Sequence, residues 1–385
     1  MQYPRIQFIN IKGYRAFKDF SATLSDLEII VGANGAGKTC LFEFLKLLRN
    51  GMTKAISPEI LAGSLGENVF HVGGEEKIQW QLEIDLDETT ILRYSGEILG
   101  PVRAPEIAWE RVETVKPFNG HQEPSILLDV KENRGKVGAK LEEEITVLPK
   151  ELALSKIDNP AMVSLYKLRE YIGGWKFYSS FNIAREKISQ PVLIKPEPIL
   201  DDDCGNISSV LYYFMKEYPK IFRNIQVHLR GEIAKFKTFQ IKALENSGEV
   251  MAFVEEKNLD GELKIGDLAD GSLLAICWFC ICLHPQPPSL ICIDGVEDCL
   301  HPKMFELLAA FLEEAAAKTQ VFAITHASFL LQFFEISKIA VIRKPQDTTE
   351  FIKPGNFPVI VDMLKDLGSH EVEYLHWSEQ LELMA

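Results

Sequence analysis

The stretch Gly32-Ala33-Asn34-Gly35-Ala36-Gly37-Lys38-Thr39 follows directly on the apolar run Leu27–Val31. It matches G-x-x-x-x-G-K-[ST] in full, and the helical pattern Leu41, Phe42, Leu45, Leu48 follows. Strand, loop and helix are the context in which this pattern binds phosphate. Glycines let the backbone wrap the phosphates with its N–H groups turned inward. Lys38 brings a point charge to the β and γ phosphates, and Thr39 offers a hydroxyl to Mg²⁺. The helix N-terminus adds its partial positive charge. Gly32, Asn34, Gly35, Gly37, Lys38 and Thr39 are therefore the expected ATP-binding residues. Asn50-Gly51 reads as the end of the helix.

Around this loop the chain reads as two kinds of segment. Arg5–Ile11 is an opening strand. Residues 78–84 alternate strictly, with Ile78, Trp80, Leu82 and Ile84 apolar, as in a half-buried strand. Further strands are predicted near 90–94, 106–114 and 125–130, which makes an antiparallel sheet. Between 150 and 250 the spacing predicts helices at 161–172 and 206–217, and short strands at 225–229 and 239–243. Pro149 and Pro160 interrupt any heptad, so no long coiled coil is expected. Strand and helix alternate again after residue 255: a buried helix from Leu273, a strand at Ser289–Ile293, a helix over 303–317 and a strand at Val321–Thr325. This predicts an α/β fold with a mainly parallel, doubly wound core. The expected segments are 1–150 with the phosphate loop and antiparallel β-subdomain, a mixed helical and β lobe at 151–255, the rest of the head at 256–345, and a C-terminal extension at 346–385.

Composition narrows the partners. The formal net charge of −14 opposes DNA phosphates at long range, although a local basic face remains possible. Lys216, Lys220, Arg223, Arg230, Lys235, Lys237 and Lys242 form a modest basic stretch, read as a mixed solvated surface. The longest apolar run, Leu273–Leu283, falls short of the roughly 20 residues of a membrane span. With no secretory signal, a cytoplasmic protein off the membrane is expected. The seven cysteines are read as reduced. Cys277, Cys280, Cys282 and His284 sit in an apolar setting and are read as core, not as a metal site.

Three further segments carry chemistry. In LICIDGVEDCLHP (290–302) Asp294 emerges at the end of a buried strand, where an acid holds Mg²⁺ through water. Thr39 and Asp294 are the expected metal-holding pair. LADGSL (268–273) precedes the apolar helix and contains Asp270, Gly271 and Ser272. In ITHASFLL (324–331) His326 leaves the end of another buried strand.

These four segments, in this order, resemble the P-loop NTPases of ABC type found in RecF and SMC proteins. The likeness is to the compact bacterial subgroup without a long coiled coil, described as AAA-type ATPases and related to the ATPase half of OLD nucleases. IKGYRAFKDF (11–20) and GNISSVLYYFMKEYP (205–219) resemble that group's opening and middle regions. The resemblance implies two heads sandwiching ATP in a homodimer, with the phosphate loop of one facing the signature (268–273 here) of the other. It also implies Arg15 near the phosphates, and Asp294, Glu297 and His326 as the catalytic set.

Two departures bear on catalysis. The subgroup's Asp-Glu-Pro-Glu stands here as Asp294-Gly295-Val296-Glu297, so the carboxylate that orients the attacking water is missing at Gly295. Glu297 lies ~6–7 Å further along an extended strand and is no evident replacement. Ala269 stands where the signature serine would be, with Ser272 three residues on. The expectation is an ATP hydrolase that is slow or depends on a partner. Gly295→Glu is expected either to raise turnover by roughly ten-fold or to crowd and strain the strand end. By resemblance the protein regulates a separate nuclease-like effector in DNA maintenance or defence against mobile DNA, the sequence having no acidic Toprim-like region after the head. A non-hydrolysing ATP-sensing scaffold and a RecF-type DNA-repair clamp are the alternatives. Gln79, Gln81 and Gln190 are all open as the Q-loop residue.

Overall fold

The computed structural model describes residues 3–87, 89–116, 124–180, 183–244, 247–257, 259–368, 370–377 and 381. In chain order the first elements are β1 (Arg5–Tyr14), β2 (Phe17–Thr23), β3 (Leu27–Val31), α1 (Lys38–Gly51) and α2 (Pro58–Ala62). There follow β4 (Lys77–Asp87), β5 (Thr90–Leu99), β6 (Glu106–Thr114), β7 (Ile126–Lys131), β8 (Arg134–Val137), β9 (Glu143–Thr146) and α3 (Val163–Gly173). Next come β10 (Trp175–Ser179), α4 (Arg185–Ile188), β11 (Val192–Leu193), α5 (Ile207–Glu217), α6 (Pro219–Glu232), β12 (Phe236–Leu244), β13 (Glu249–Glu256) and β14 (Glu262–Lys264). The last are α7 (Asp270–Cys282), β15 (Leu290–Asp294), α8 (Phe305–Ala316), β16 (Gln320–Ile324), α9 (Ser328–Leu331), β17 (Ile339–Arg343), β18 (Glu350–Ile352), α10 (Pro358–Leu367) and α11 (His370–Trp377). The fold is mixed α/β, and the chain divides into two compact units. Residues 1–175, 336–368 and 375–385 form the first, and 176–335 with 369–374 the second.

The first unit holds an eight-stranded antiparallel sheet in the order β2-β1-β4-β5-β6-β7-β8-β9. The strict alternation over 78–84 buries Ile78, Trp80, Leu82 and Ile84 and leaves the residues between them half-buried. Strand β3, buried at all five positions, pairs in parallel with β17, and β18 pairs antiparallel beyond it. A strand buried on both faces is expected to be a continuous apolar run. The exception is Glu28, a buried carboxyl within this run.

Glu110 on β6 is fully buried and pins the turn at 152–154 onto the sheet. Its carboxylate accepts the Ala153 and Leu154 N–H groups and the Tyr94 hydroxyl, the last two at 3.0 Å. Burial outweighs these bonds and pushes the carboxyl up to about 7. The folded state therefore binds this proton more tightly than the unfolded chain. Stability from this group is full below the ordinary carboxyl range and falls as pH rises through about 7, by about 3 kcal/mol at most. Glu110→Gln stays neutral, so its urea midpoint relative to wild type should climb between pH 5 and pH 8. A constant offset across that range would show that Glu110 does not titrate this way.

In the second unit β15 and β16 pair in parallel, with β10 on the other side of β15. A separate small sheet has β13 paired with β11, β12 and β14. Helix α7 is buried on every side from Leu273 to Cys282, as a helix apolar all round must be. Cys277, Cys280 and Cys282 lie within it. The His284 ring contacts the Pro198 carbonyl at 3.2 Å and accepts the Gln286 N–H. Among the described residues no helix is long and apolar enough to cross a membrane.

One expectation is corrected. Residues 225–229 are not a strand but the middle of α6. Their five-residue alternation fits either period. Pro219 at the first helical position and the burial of Ile225, Gln226 and Leu229 on one face belong to the helix.

Candidate functional site

In the first unit β3 delivers its last residue, Val31, into the glycine loop. Gly32, Gly35 and Gly37 have φ of +141°, +80° and +114°. Only glycine holds such angles without strain. A Cβ on Gly32 would run into the Ile342 carbonyl oxygen, and one on Gly37 would come within 2.9 Å of the Phe17 ring. A Cβ on Gly35 would meet nothing within 4 Å, so the middle of the loop faces open space.

Helix α1 begins at Lys38 with Gly37 as its N-cap. No side chain caps it, and its first turn carries no acidic residue. Such a helix start attracts an anion. Lys38 is buried, and its ammonium donates to the carbonyls of Gly32 at 2.6 Å and Ala33 at 3.1 Å. The charge is thus held inside the curl of the loop. Glycine angles, uncapped N–H groups and an enclosed ammonium together fit a polyphosphate. Thr39 and Asp294 have the oxygen chemistry for Mg²⁺, but they lie in different units.

Arg15 sits in the tight turn after β1, at φ +49°. Its guanidinium donates to the carbonyls of Ala62 at 2.5 Å, Asn68 at 3.0 Å and Gly66 at 3.0 Å. It thereby ties the loop after α2 to the turn whose Ala16 and Phe17 pack against Gly37. The structure places Arg15 as a brace beside the phosphate loop.

In the second unit Asp294 ends β15. The N–H groups of Gly295 and Val296 both donate to the Ile324 carbonyl, at 3.2 and 3.3 Å, so the ends of β15 and β16 are locked together. Glu297 accepts the His326 backbone N–H on Oε1 at 2.6 Å. This fixes the start of the segment that carries the exposed His326 side chain. Asp294, Glu297 and His326 are thus brought to one end of the β15–β16 pair. Gly295 has φ +71°. A Cβ there would run into Asp298 Oδ2.

The segment 268–273 lies close by. Ala269 is the N-cap of α7, and Asp270, Gly271 and Ser272 form its first turn. A Cβ on Gly271 would run into the Cys299 carbonyl oxygen, so the segment abuts the turn after Asp298. Arg185 clasps it. Its guanidinium donates to the carbonyls of Gly266 at 2.7 Å and Leu268 at 2.9 Å and pairs with the Asp270 carboxylate. Arg185, Ser180 and Asp298 line a cleft of about 360 Å³ with Asp270. These three were not read from the sequence. Their partners lie 81 to 118 residues away along the chain, and no local pattern marks them.

Contacts within the chain engage five of the seven basic residues between 216 and 242. Lys237 pairs with Glu255 at 2.9 Å, and Lys242 pairs with Glu262. Arg230 donates to the Lys237 carbonyl, and Lys216 lies over the Tyr212 ring. Lys235 offers its backbone carbonyl to the Lys257 N–H.

The model of the AAA ATPase domain family matches residues 5–258, which include the phosphate loop. No curated protein matches the chain significantly. Among solved structures, an SMC head bound to the C-winged helix domain of ScpA matches with a TM-score of 0.53 and 13% identity. The match covers 91% of this chain and 98% of that one. An SMC head domain with an extended coiled coil, bound to the C-terminal domain of ScpA and derived from Pyrococcus furiosus, gives 0.54 and 13%. It covers 94% and 100% of the two chains. The fold is that of a P-loop ATPase like the SMC heads.

Proposed function

Because the chain belongs to the AAA ATPase domain family, we propose that it is an ATP-driven head that pairs with a second copy of itself and thereby controls a partner protein. The observation that carries this reading is the phosphate loop: an ammonium enclosed by the Gly32 and Ala33 carbonyls at a helix start that no side chain caps. ATP with Mg²⁺ is the ligand, and residues 32–39 are the ones that take its phosphates. Two copies related by a two-fold axis would each complete the other's site through Asp270, Gly271 and Ser272. The similar SMC heads are described in complex with ScpA domains, which favours a protein partner for this head as well. The partner we favour is a nuclease-like effector in DNA maintenance or in defence. Hydrolysis is slow, since Gly295 supplies no carboxylate.

Lys38→Ala tests the reading. It removes the charge that meets the β and γ phosphates. ATP affinity by calorimetry should fall at least about 30-fold, as for a lost charged hydrogen bond and its ion pairing. ATP-dependent association by sedimentation should vanish with it. Unchanged affinity in a folded variant would end the assignment. ATP binding without association would leave the nucleotide site and end the dimer.

The second reading, a scaffold that binds ATP without turnover, is favoured by the left-handed Gly295. Phosphate release by wild type, measured where calorimetry shows ATP bound, separates the two, and its absence would leave the scaffold.

A further inference from the structure

In the second unit we infer a docking site: the open end of strand β12 takes an extended, acidic segment of a partner protein as an added strand. Strand β12 is paired on one side only, with β13. In an antiparallel ladder the backbone groups of alternate residues point away from the partner strand. Phe239 lies opposite Val254, yet its N–H goes to Gln226 Oε1 at 3.3 Å. Ile241 and Ala243 share its phase, opposite Ala252 and Val250. Ala252 agrees from the other strand, since its N–H is turned to the Ser208 hydroxyl at 3.0 Å. The N–H and C=O groups of Ile241 and Ala243 therefore face off the free side of β12.

The chain covers this edge for half its length and then stops. Helix α6 runs back along it. Arg230 donates to the Lys237 carbonyl at 2.7 Å, Gln226 takes the Phe239 N–H, and the Phe222 ring packs on Phe239 with centroids 5.8 Å apart. No such cap follows beyond Phe239. Among the described residues the outward groups of Ile241 and Ala243 have no hydrogen-bond partner. Ala243 and Leu244 are exposed. An open strand edge is a template on which an extended segment pairs through its main chain.

Charge selects the occupant. Lys220, Arg223, Val227 and Arg230 are exposed and follow one another at helical spacings of three and four, so they form one row of α6 beside Gln226. In a chain of net charge −14, residues 219–244 carry six lysines and arginines and a single acid, Glu232. Lys237 and Lys242 are paired with Glu255 and Glu262. Lys220 and Arg223 enter no ion pair among the described residues. An acidic strand gains from this row, and a basic one is repelled. A second copy of this chain would bring the same row against itself. Val227, 54% exposed in the middle of the row, suits an apolar side chain of the segment. Nucleic acid has no strand to add, so it would be indifferent to Ile241 and Ala243.

A displayed library of random peptides is panned on the full chain without nucleotide, so failure of the ATP reading leaves this test untouched. Enriched sequences are made as labelled peptides and titrated by fluorescence polarisation, beside a labelled DNA duplex. The enriched peptides should be acidic with apolar residues at alternate positions. Ala243→Pro removes one outward N–H and spares the ladder to β13, since proline is tolerated where an edge N–H faces solvent. It should weaken these peptides at least about 5-fold. Arg223→Glu should weaken them about 5-fold or more at low salt, and less at high salt. This surface change carries the test if Ala243→Pro fails to fold. Several outcomes would overturn the proposal: no enriched set, an enriched set that is neutral or basic, or peptides that bind both variants as tightly as wild type. Self-association of wild type that Ala243→Pro abolishes would overturn it in favour of a second copy. Duplex binding that Arg223→Glu weakens and Ala243→Pro does not, with no peptide bound, would overturn it in favour of nucleic acid.

Discussion

Lys353→Met should destabilise the protein by about 3–5 kcal/mol, the cost of leaving a buried charge without its partner. Glu28 is fully buried on β3, four residues before Gly32 opens the phosphate loop. Its Oε1 takes the Lys353 ammonium at 2.6 Å and the Ser25 N–H at 2.5 Å, while Oε2 is buried and unpartnered among the described residues. Burial raises the Glu28 carboxyl above its ordinary range, and Lys353 opposes that rise. Methionine keeps the stem and removes the charge, so the carboxylate must protonate on folding or stay unpaired. The variant's deficit should therefore shrink as pH falls from 8 to 5, because protonation relieves the folded state. Glu28→Gln in the same chain should recover most of the loss. The check is a set of urea midpoints at both pH values. A deficit of under about 1 kcal/mol, the worth of a solvent-exposed pair, would show that water reaches Glu28.

The consequence would reach the nucleotide, because β3 sets the position of Gly32. That glycine touches the Ile342 carbonyl of β17, and Lys353 follows β18 on the same side of β3. The ion pair therefore holds the strand that aims the loop. A protein that keeps a charge so close to its ligand site trades stability for a fixed geometry. The double variant tests this: if Glu28→Gln with Lys353→Met restores stability but not ATP affinity, the pair positions the loop.

What could be read in advance divides along a physical line. The phosphate loop was legible because one contiguous segment fixes it. Gly32, Gly35 and Gly37 each need an angle that only glycine holds freely. The strand β4 was legible because strict alternation over residues 78–84 admits one period. Five residues at 225–229 did not suffice, and the burial of Gln226 shows why. Its side chain accepts from the Thr238 hydroxyl at 2.7 Å and the Phe239 N–H at 3.3 Å, which makes a polar residue part of a buried helix face. Around Asp294 the sequence told which residue types were present and which were missing. It could not tell that Ser180 meets Asp298 across 118 residues, or that Arg185 clasps Asp270 across 85. Such contacts depend on how separate elements pack, and no local spacing encodes them.

Gly295→Glu is the change that this packing decides. From the motif alone, a glutamate there could be expected to restore turnover. The structure favours the opposite outcome. At φ +71° any residue with a Cβ costs about 1–2 kcal/mol. The new side chain must also push the Asp298 carboxylate aside and break its bond to Ser180, at about 1–3 kcal/mol for a charged acceptor. The sum is about 2–5 kcal/mol of lost stability, with no gain in turnover, because the new side chain has no free space to enter. A double-mutant cycle with Asp298→Ala separates the two costs. In that background the crowding is gone, so Gly295→Glu should cost only the backbone strain, about 1–2 kcal/mol. Equal costs in both backgrounds would show that Asp298 does not fill the space. Ten-fold faster phosphate release by Gly295→Glu alone would show more. It would mean that the turn rearranges to accept a glutamate, and that position 295 is still where this site wants its acid.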